Sequence, residues 1–265
     1  MQSNDMTFRI GGEAGQGIES GGAGFATALA RGGLHVFGLP DYMSRVRGGH
    51  NFFEVRIAEE PLHGLTGAGV HLLMAMDERT IAEHWHEVLP GGGVLYDEGA
   101  HVAHEAELKE RKVKLLPVPL VQIATEAGNP IMANTGALAA AAGVTGYDLQ
   151  YIESVIRDNF RVKGDRVVQG NLEVAKRGWE FAHERYGSDF GFRVEAIDDA
   201  PRRMVMTGNQ AFCIGALMGG CRFVAAYPMT PATGIIEWMA GHQDTYGIVT
   251  KHVEDEIAAI CMAIG

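Results

Sequence analysis

The chain alternates short apolar runs with Ala-rich or amphipathic stretches, punctuated by glycine. Residues 6–11 (Met-Thr-Phe-Arg-Ile-Gly) read as a strand, a Gly-rich loop covers 11–17, and an Ala-rich helix runs to about residue 32. Further strands are predicted at 34–39, 51–58, 69–76, 91–97 and 112–119, with a helix at 77–87. "NPIMANTGALAAAAGV" at 129–144 predicts a small-residue helix suited to tight packing, and charged helices follow at 148–158 and about 166–186. Strands alternating with helices predict an α/β fold whose sheet is mainly parallel and covered on both faces.

The stretch 186–203 mixes Gly, Pro and charge and reads as a linker. The pattern then restarts. "MVMTGNQAFCIGALMGG" predicts a strand end, a polar turn and a helix, and "CRFVAAYP" a strand. "TPATGIIEWMAGH" predicts a helix with Thr230 as N-cap and Pro231 in its first turn. "YGIVTKH" and "EDEIAAICMAIG" add a strand and a helix. The organisation is therefore an α/β domain at 1–185, a linker at 186–203, and the first two or three β/α units of a second α/β domain at 204–265. The last helix stops without a polar final turn, so the sequence is expected to be a piece of a longer subunit.

An apolar content of 46% supports a sizeable core in 265 residues. The net charge of −11, without a Lys/Arg-rich run, argues against nucleic acid as a partner. Cys213, Cys221 and Cys261 form no C-x-x-C and cannot supply four ligands to an iron–sulfur cluster or a structural zinc. They are expected as free core thiols in a reducing cytosol. No 18-residue apolar run and no signal peptide is evident, so no membrane partner and a cytoplasmic location are expected. His84, His86, His101 and His104 stand in polar surroundings away from acid clusters, and no metal site is expected.

Four motifs carry candidate chemistry. In "GGEAGQGIESGG", glycines between a strand and a helix N-terminus either present amides to a phosphate or carboxylate or simply permit tight packing. The spacing is neither the dinucleotide fingerprint nor a P-loop. In "PDYMSRVRGGHNFFEV", Arg45 and Arg47 share a glycine-containing loop with Ser44; they either clamp an anion or face solvent. Loops at one end of such a sheet gather at one edge, so these two motifs are expected to face one pocket. In Tyr227-Pro228-Met229-Thr230-Pro231, two prolines stiffen a strand-to-helix turn that either caps a helix or holds a ligand atom. Glu254-Asp255-Glu256 opens a helix that is otherwise apolar all round, hence predicted to be buried. Helix-dipole compensation explains one or two of these acids, and at least one is expected to face inward, with its pKa raised by desolvation.

Together these stretches carry a resemblance. "GGEAGQGIESGG" with "YMSRVRGGHNFFEVRI" resembles the gamma-type domain of 2-oxoacid:ferredoxin oxidoreductases. "TGNQAFCIGALMGGCRFVAAYPMTPAT" with "VEDEIAAICMAIG" resembles the opening of their alpha subunit, a thiamine diphosphate pyrimidine-binding domain. The order of the two is similar to the fused alpha subunit of the two-subunit enzymes, notably the 2-oxoglutarate:ferredoxin oxidoreductases.

The resemblance implies oxidative decarboxylation of a 2-oxoacid on thiamine diphosphate, with electrons passing through iron–sulfur centres to ferredoxin and the acyl group to coenzyme A. It places catalytic Glu256 against the pyrimidine ring, where it assists the imino tautomer. Thr230, also catalytic, and Tyr227 lie near the 2-oxoacid, with Pro228 in the cofactor-binding turn. Gly15, Gln16, Gly17, Ser44, Arg45 and Arg47 are implied contacts to substrate or coenzyme A. The diphosphate, its Mg²⁺ and the cluster ligands are implied to belong to a beta subunit in an (alpha-beta)2 assembly. Met229 stands where Ile is more usual. The fusion favours 2-oxoglutarate, and pyruvate and branched-chain or aryl 2-oxoacids remain open. A nicotinamide-dependent dehydrogenase would require an acidic residue at the end of strand two, 34–39, which is absent. A non-catalytic assembly or ligand-binding module would have no need of an acid beside the Tyr-Pro turn.

Overall fold

The computed structural model describes residues 2–43, 49–65 and 69–265. It divides into two units, Met1–Arg203 and Met204–Gly265. The elements of the first are β1 (Gln2–Ser3), β2 (Met6–Glu13), α1 (Ile18–Arg31), β3 (His35–Tyr42), β4 (His50–Ala58), β5 (Val70–Ala75), α2 (Glu78–His84), β6 (Val88–Asp97), α3 (Glu105–Glu110), β7 (Lys114–Val118), α4 (Leu120–Glu126), α5 (Ala133–Thr145), α6 (Leu149–Phe160), α7 (Asp165–Tyr186) and β8 (Phe192–Arg193).

Among the described residues, the main sheet has six strands in the order β3-β4-β2-β5-β6-β7. Strands β2, β5, β6 and β7 run parallel, and β4 is antiparallel to both of its neighbours. The reversal departs from a mainly parallel sheet for a topological reason. A connection as short as 43–49 can return only antiparallel, because a parallel crossover needs a dozen or more residues. As a result β2 and β3 end, and β4 begins, at the same sheet edge.

Both faces of the central strands are covered. Phe8 and Ile10 pack with Phe25 and Leu29 of α1, while Leu73 and Val94 pack with Ile81 of α2 and Leu108 of α3. Helix α5 is buried on nearly every side, and Ala139 to Ala142 are all 0% exposed. Small side chains let it lie close to α7: at Gly178 an added Cβ would come within 2.8 Å of the Gly136 carbonyl.

The stretch 186–203 is part of the first unit and packs against the rest of it. Phe190 and Val194 are each 1% exposed. The Val194 N–H donates to the Thr145 carbonyl at 3.0 Å, and the Ile197 N–H to the Gly32 carbonyl at 2.8 Å. Its Gly, Pro and charge content conceals the apolar anchors Phe190, Phe192 and Val194, which dock it.

The second unit contains α8 (Gly208–Met218), β9 (Phe223–Ala226), α9 (Thr233–Gly241), α10 (Gln243–Tyr246), β10 (Val249–His252) and α11 (Glu256–Ile264). Strands β9 and β10 pair in parallel, and Met204–Met206 form no strand. The buried core is small, with Cys213, Met239 and Ile248 at its centre. Cys221 is half-buried and Cys261 exposed, so only one of the three thiols is a core residue.

Helix α11 departs most from expectation, because none of its residues is buried; Ile257 is 75% and Ile264 83% exposed. Two strands and their helices do not carry enough apolar surface to enclose a further helix that is apolar all round. No helix of the described residues is long and apolar enough to cross a membrane.

Candidate functional site

In the first unit, the glycine turn sits between β2 and α1. Gly15 (φ 98°) and Gly17 (φ 74°) adopt left-handed conformations that side chains with a Cβ disfavour. Gln16 pins the turn. Its backbone N–H donates to the Glu13 carbonyl (3.1 Å), and its side-chain oxygen accepts the Glu13 N–H (2.8 Å). Asn134 of α5 donates from Nδ2 to the Gln16 carbonyl (3.1 Å). The first α1 carbonyl to be used is that of Gly17, which accepts from Gly21 at 2.8 Å. The amides of residues 18–20 therefore have no intrahelical acceptor and stand at the positive end of the helix dipole.

A cavity of about 650 Å³ opens beside this turn, lined by Glu13, Gly15, Gly17, Ser20, Tyr42 and Asn51 among others. The Ala14 N–H donates to the Gly49 carbonyl (3.0 Å), tying the turn to the 43–49 connection. The glycine turn and the ends of that connection thus share one edge. Ser44, Arg45 and Arg47 lie outside the described residues.

In the second unit, the register pairs Ala226 with His252. The Val253 N–H donates to the Ala226 carbonyl at 3.1 Å, extending the ladder by one step. The Tyr227–Pro231 turn and the acidic segment 254–256 consequently leave the sheet side by side. Tyr227 is 38% exposed, and Pro228 and Thr230 are exposed. Thr230 does not cap the following helix. That helix begins at Thr233, and the Met229 carbonyl accepts from the N–H groups of Ala232 (2.7 Å) and Thr233 (3.1 Å). This backbone turn does the work expected of the threonine hydroxyl. Asn209 of α8 donates from Nδ2 to the Pro231 carbonyl at 3.0 Å.

The three acids divide their roles. Asp255 caps α11 by accepting the Ala258 N–H at 2.7 Å. Glu256 is exposed at the helix start, and no ion pair to it occurs among the described residues. The expected burial of this carboxylate is not found within the chain, because α11 itself is uncovered.

A buried polar network also lies behind the first unit's edge, and sequence reasoning missed it. Arg9 and Glu54 are direct cross-strand partners and only 7% and 8% exposed. Arg9 donates to Glu54 from Nε (3.0 Å) and Nη2 (2.5 Å), and Nη1 reaches Glu87 at 2.7 Å. His84 Nδ1 meets Glu87 Oε1 at 2.7 Å, and its Nε2 meets His50 Nε2 at 2.8 Å. Burial raises the Glu87 pKa, but hydrogen bonds from His84 and Arg9 outweigh it and hold the carboxyl below its ordinary range. Burial, then the neighbouring His84, pushes His50 below the usual imidazole value. His84 is thus buried among acids rather than in polar surroundings apart from them. An arginine in an otherwise apolar strand, opposite a glutamate in another, was the available signal.

Residues 7–181 match the family model described as pyruvate ferredoxin/flavodoxin oxidoreductase. The chain belongs to the pyruvate ferredoxin/flavodoxin oxidoreductase family. Residues 214–265 match a second model of this oxidoreductase family, described as its thiamine diphosphate-binding part. A Sulfolobus protein called 2-oxoacid:ferredoxin oxidoreductase subunit alpha is 26% identical over 98% of this chain and 48% of its own length. A solved 2-oxoglutarate:ferredoxin oxidoreductase from Magnetococcus marinus, with 2-oxoglutarate, coenzyme A and succinyl-CoA bound, superposes with a TM-score of 0.87. It is 31% identical over 98% of this chain and 45% of that one. The pyruvate oxidoreductase subunit PORC of Thermotoga maritima shares the fold, with a TM-score of 0.55 at 24% identity, over 67% of this chain and 96% of its own. The chain spans about half the length of the alpha subunit it matches. Its fold is a gamma-type α/β unit followed by the start of a thiamine diphosphate-binding unit.

Proposed function

We propose that this chain serves as the alpha subunit, of the fused gamma–alpha type, in a coenzyme A-dependent 2-oxoacid:ferredoxin oxidoreductase. One observation carries the reading: within the residues that match the thiamine diphosphate model, the Tyr227 turn and Glu256 leave adjacent parallel strands at their C-terminal edge. Ligands of open α/β sheets bind at such edges.

The residues present fit the pyrimidine half of thiamine diphosphate. Asp255 is committed to its cap, whereas Glu256 keeps a carboxylate free for a ring nitrogen. Tyr227 and the exposed apolar Met229 offer flat contact surface. When bound, the cofactor supplies the electron sink for decarboxylation. The chain's own contribution is to hold and move a proton at Glu256, and to position the 2-oxoacid with Thr230 and Tyr227. A companion surface over α11 would cover the apolar helix and exclude water from Glu256, as a site for proton exchange with the bound ring requires.

In the first unit, the free amides of α1 and the cavity beside them suit a phosphate or carboxylate of coenzyme A or substrate. Gly15, Gln16 and Gly17 shape that site, and Ser44, Arg45 and Arg47 would supply its positive charge. The described rim is acidic, with Glu13, Glu19 and Asp41, so those arginines carry the electrostatic side of the proposal. The solved 2-oxoglutarate enzyme favours 2-oxoglutarate as substrate and succinyl-CoA as product. The broader 2-oxoacid name of the Sulfolobus relative keeps pyruvate and branched-chain acids as the alternative. Mg²⁺, the diphosphate contacts and an iron–sulfur cluster are assigned to a beta subunit, ferredoxin to the acceptor role, and (alpha-beta)2 to the assembly. Three free thiols suit the cytoplasm.

The test is 2-oxoacid-dependent dye reduction by the reconstituted complex. Glu256→Gln is expected to lower turnover about 10²-fold or more. Unchanged turnover in that variant would refute the assignment. A substrate panel then decides among the 2-oxoacids.

A further inference from the structure

The buried network of the first unit contains a set of donors that the proposed reaction does not use. One nitrogen each from His50 and His84 and one carboxylate oxygen of Glu83 all lie within 4.8 Å of one another. We propose that His50, Glu83 and His84 bind a divalent ion of the zinc class, with a fourth position left to water. Two imidazoles and one carboxylate are a known zinc ligand set.

The orientation of each donor supports this assignment. Glu87 Oε1 at 2.7 Å and Arg9 Nη1 at 2.9 Å both engage His84 Nδ1, so Nε2 is the ring nitrogen turned toward the cluster. A carboxylate behind a ligating imidazole is the usual outer support of a metal-bound histidine. Arg9, held by Glu54, braces Glu87 from its other oxygen (2.7 Å). Arg79 Nε holds Glu83 Oε1 (2.5 Å), leaving Oε2 directed to His50 at 3.9 Å.

Spacing and charge agree. The two Nε2 atoms stand 2.8 Å apart and share one proton in the metal-free pair. Tetrahedral ligands at zinc bond lengths are roughly 3.3 Å apart, so replacing that proton by an ion requires only a small opening. The pair as it stands is also incompletely satisfied: His50 is 4% exposed, and its Nδ1 has no partner among the described residues. Three carboxylates, Glu54, Glu83 and Glu87, face two guanidinium groups, Arg9 and Arg79, so a cation balances the surplus. The ion would tie α2 to the first residue of β4, directly after the 43–49 connection.

The measurement is zinc content by mass spectrometry on the full-length protein and the chains that co-purify with it, after zinc loading and dialysis. About one zinc per chain is expected, with at least a tenfold loss in Glu83→Gln and in His84→Gln. Melting of the unaltered protein should fall with a chelator and recover with zinc, whereas Glu83→Gln should not respond. Glu83 is partly exposed, and a circular dichroism spectrum verifies that its variant folds. The proposal is overturned if the unaltered protein retains no zinc, or if the variants retain as much as it does.

Discussion

The Val253 N–H donates to the carbonyl of Ala226 at 3.1 Å, one residue beyond the last paired positions of two parallel strands. This bond fixes where the two most informative segments of the second unit emerge. Tyr227 follows directly on one strand, and Glu256 follows three residues after Val253 on the other. A turn with two prolines and a free carboxylate therefore share one sheet edge without any contact between their side chains being required. The same logic holds in the first unit, where the Ala14 N–H to the Gly49 carbonyl joins the glycine turn to the 43–49 connection.

Gly17 makes that glycine turn testable. Its φ of 74° strains any residue with a Cβ, and a Cβ built there would fall 2.5 Å from Asn134 Nδ2. Gly17→Ala is expected to cost about 1–3 kcal/mol of stability. It should also raise the KM for coenzyme A while changing turnover less. Urea unfolding and steady-state kinetics check the two effects; an unaltered KM would remove the turn from the coenzyme site.

Arg9 should be among the most costly side chains of the first unit to truncate. It is almost wholly buried, bonded to Glu54 and Glu87, and stacked 4.5 Å from the Phe52 ring. Arg9→Ala leaves the buried Glu54 carboxylate without its partner. A loss of about 3–5 kcal/mol is expected by urea unfolding. Arg9→Lys should recover only part of it, since an ammonium cannot present the same fork of donors.

His71 predicts a pH dependence. It is 8% exposed, and its Nδ1 accepts the Thr7 N–H at 3.0 Å, which requires that nitrogen to be unprotonated. Burial, then the Arg56 charge, lowers its pKa below the ordinary value. The unfolded chain thus binds more protons than the folded one as pH falls through about 6.5. The stabilisation is fully present above that pH and is lost as pH falls toward the lowered folded value. Urea midpoints at pH 7.5 and 5.5 should differ by less in His71→Leu than in the unaltered protein.

Much of the architecture was legible because burial on both faces leaves strong marks. Val70–Ala75 is buried throughout and apolar but for His71, and the small residues of Ala133–Thr145 announce a helix packed on all sides. What could not be read was set by partners distant in sequence. The antiparallel course of His50–Ala58 follows from topology, and the docking of 190–197 rests on three apolar residues in a polar-looking stretch. Arg9, Glu54, His84 and Glu87 form a network only after folding, since each alone resembles a surface charge. The reading of Glu256 was misled by its helix. The apolar residues of 257–264 predict a buried element, yet the cover is not supplied by the second unit itself. Thr230 looked like a helix cap by sequence, but the Met229 carbonyl performs that role.

The central claim is that Glu256 meets the pyrimidine of thiamine diphosphate. An experimental structure of the complete complex with the cofactor bound tests it most directly. The account predicts a Glu256 carboxylate oxygen within about 2.7–3.2 Å of a pyrimidine ring nitrogen. A ring bound beyond hydrogen-bonding reach of Glu256, with another carboxylate against that nitrogen, would contradict it.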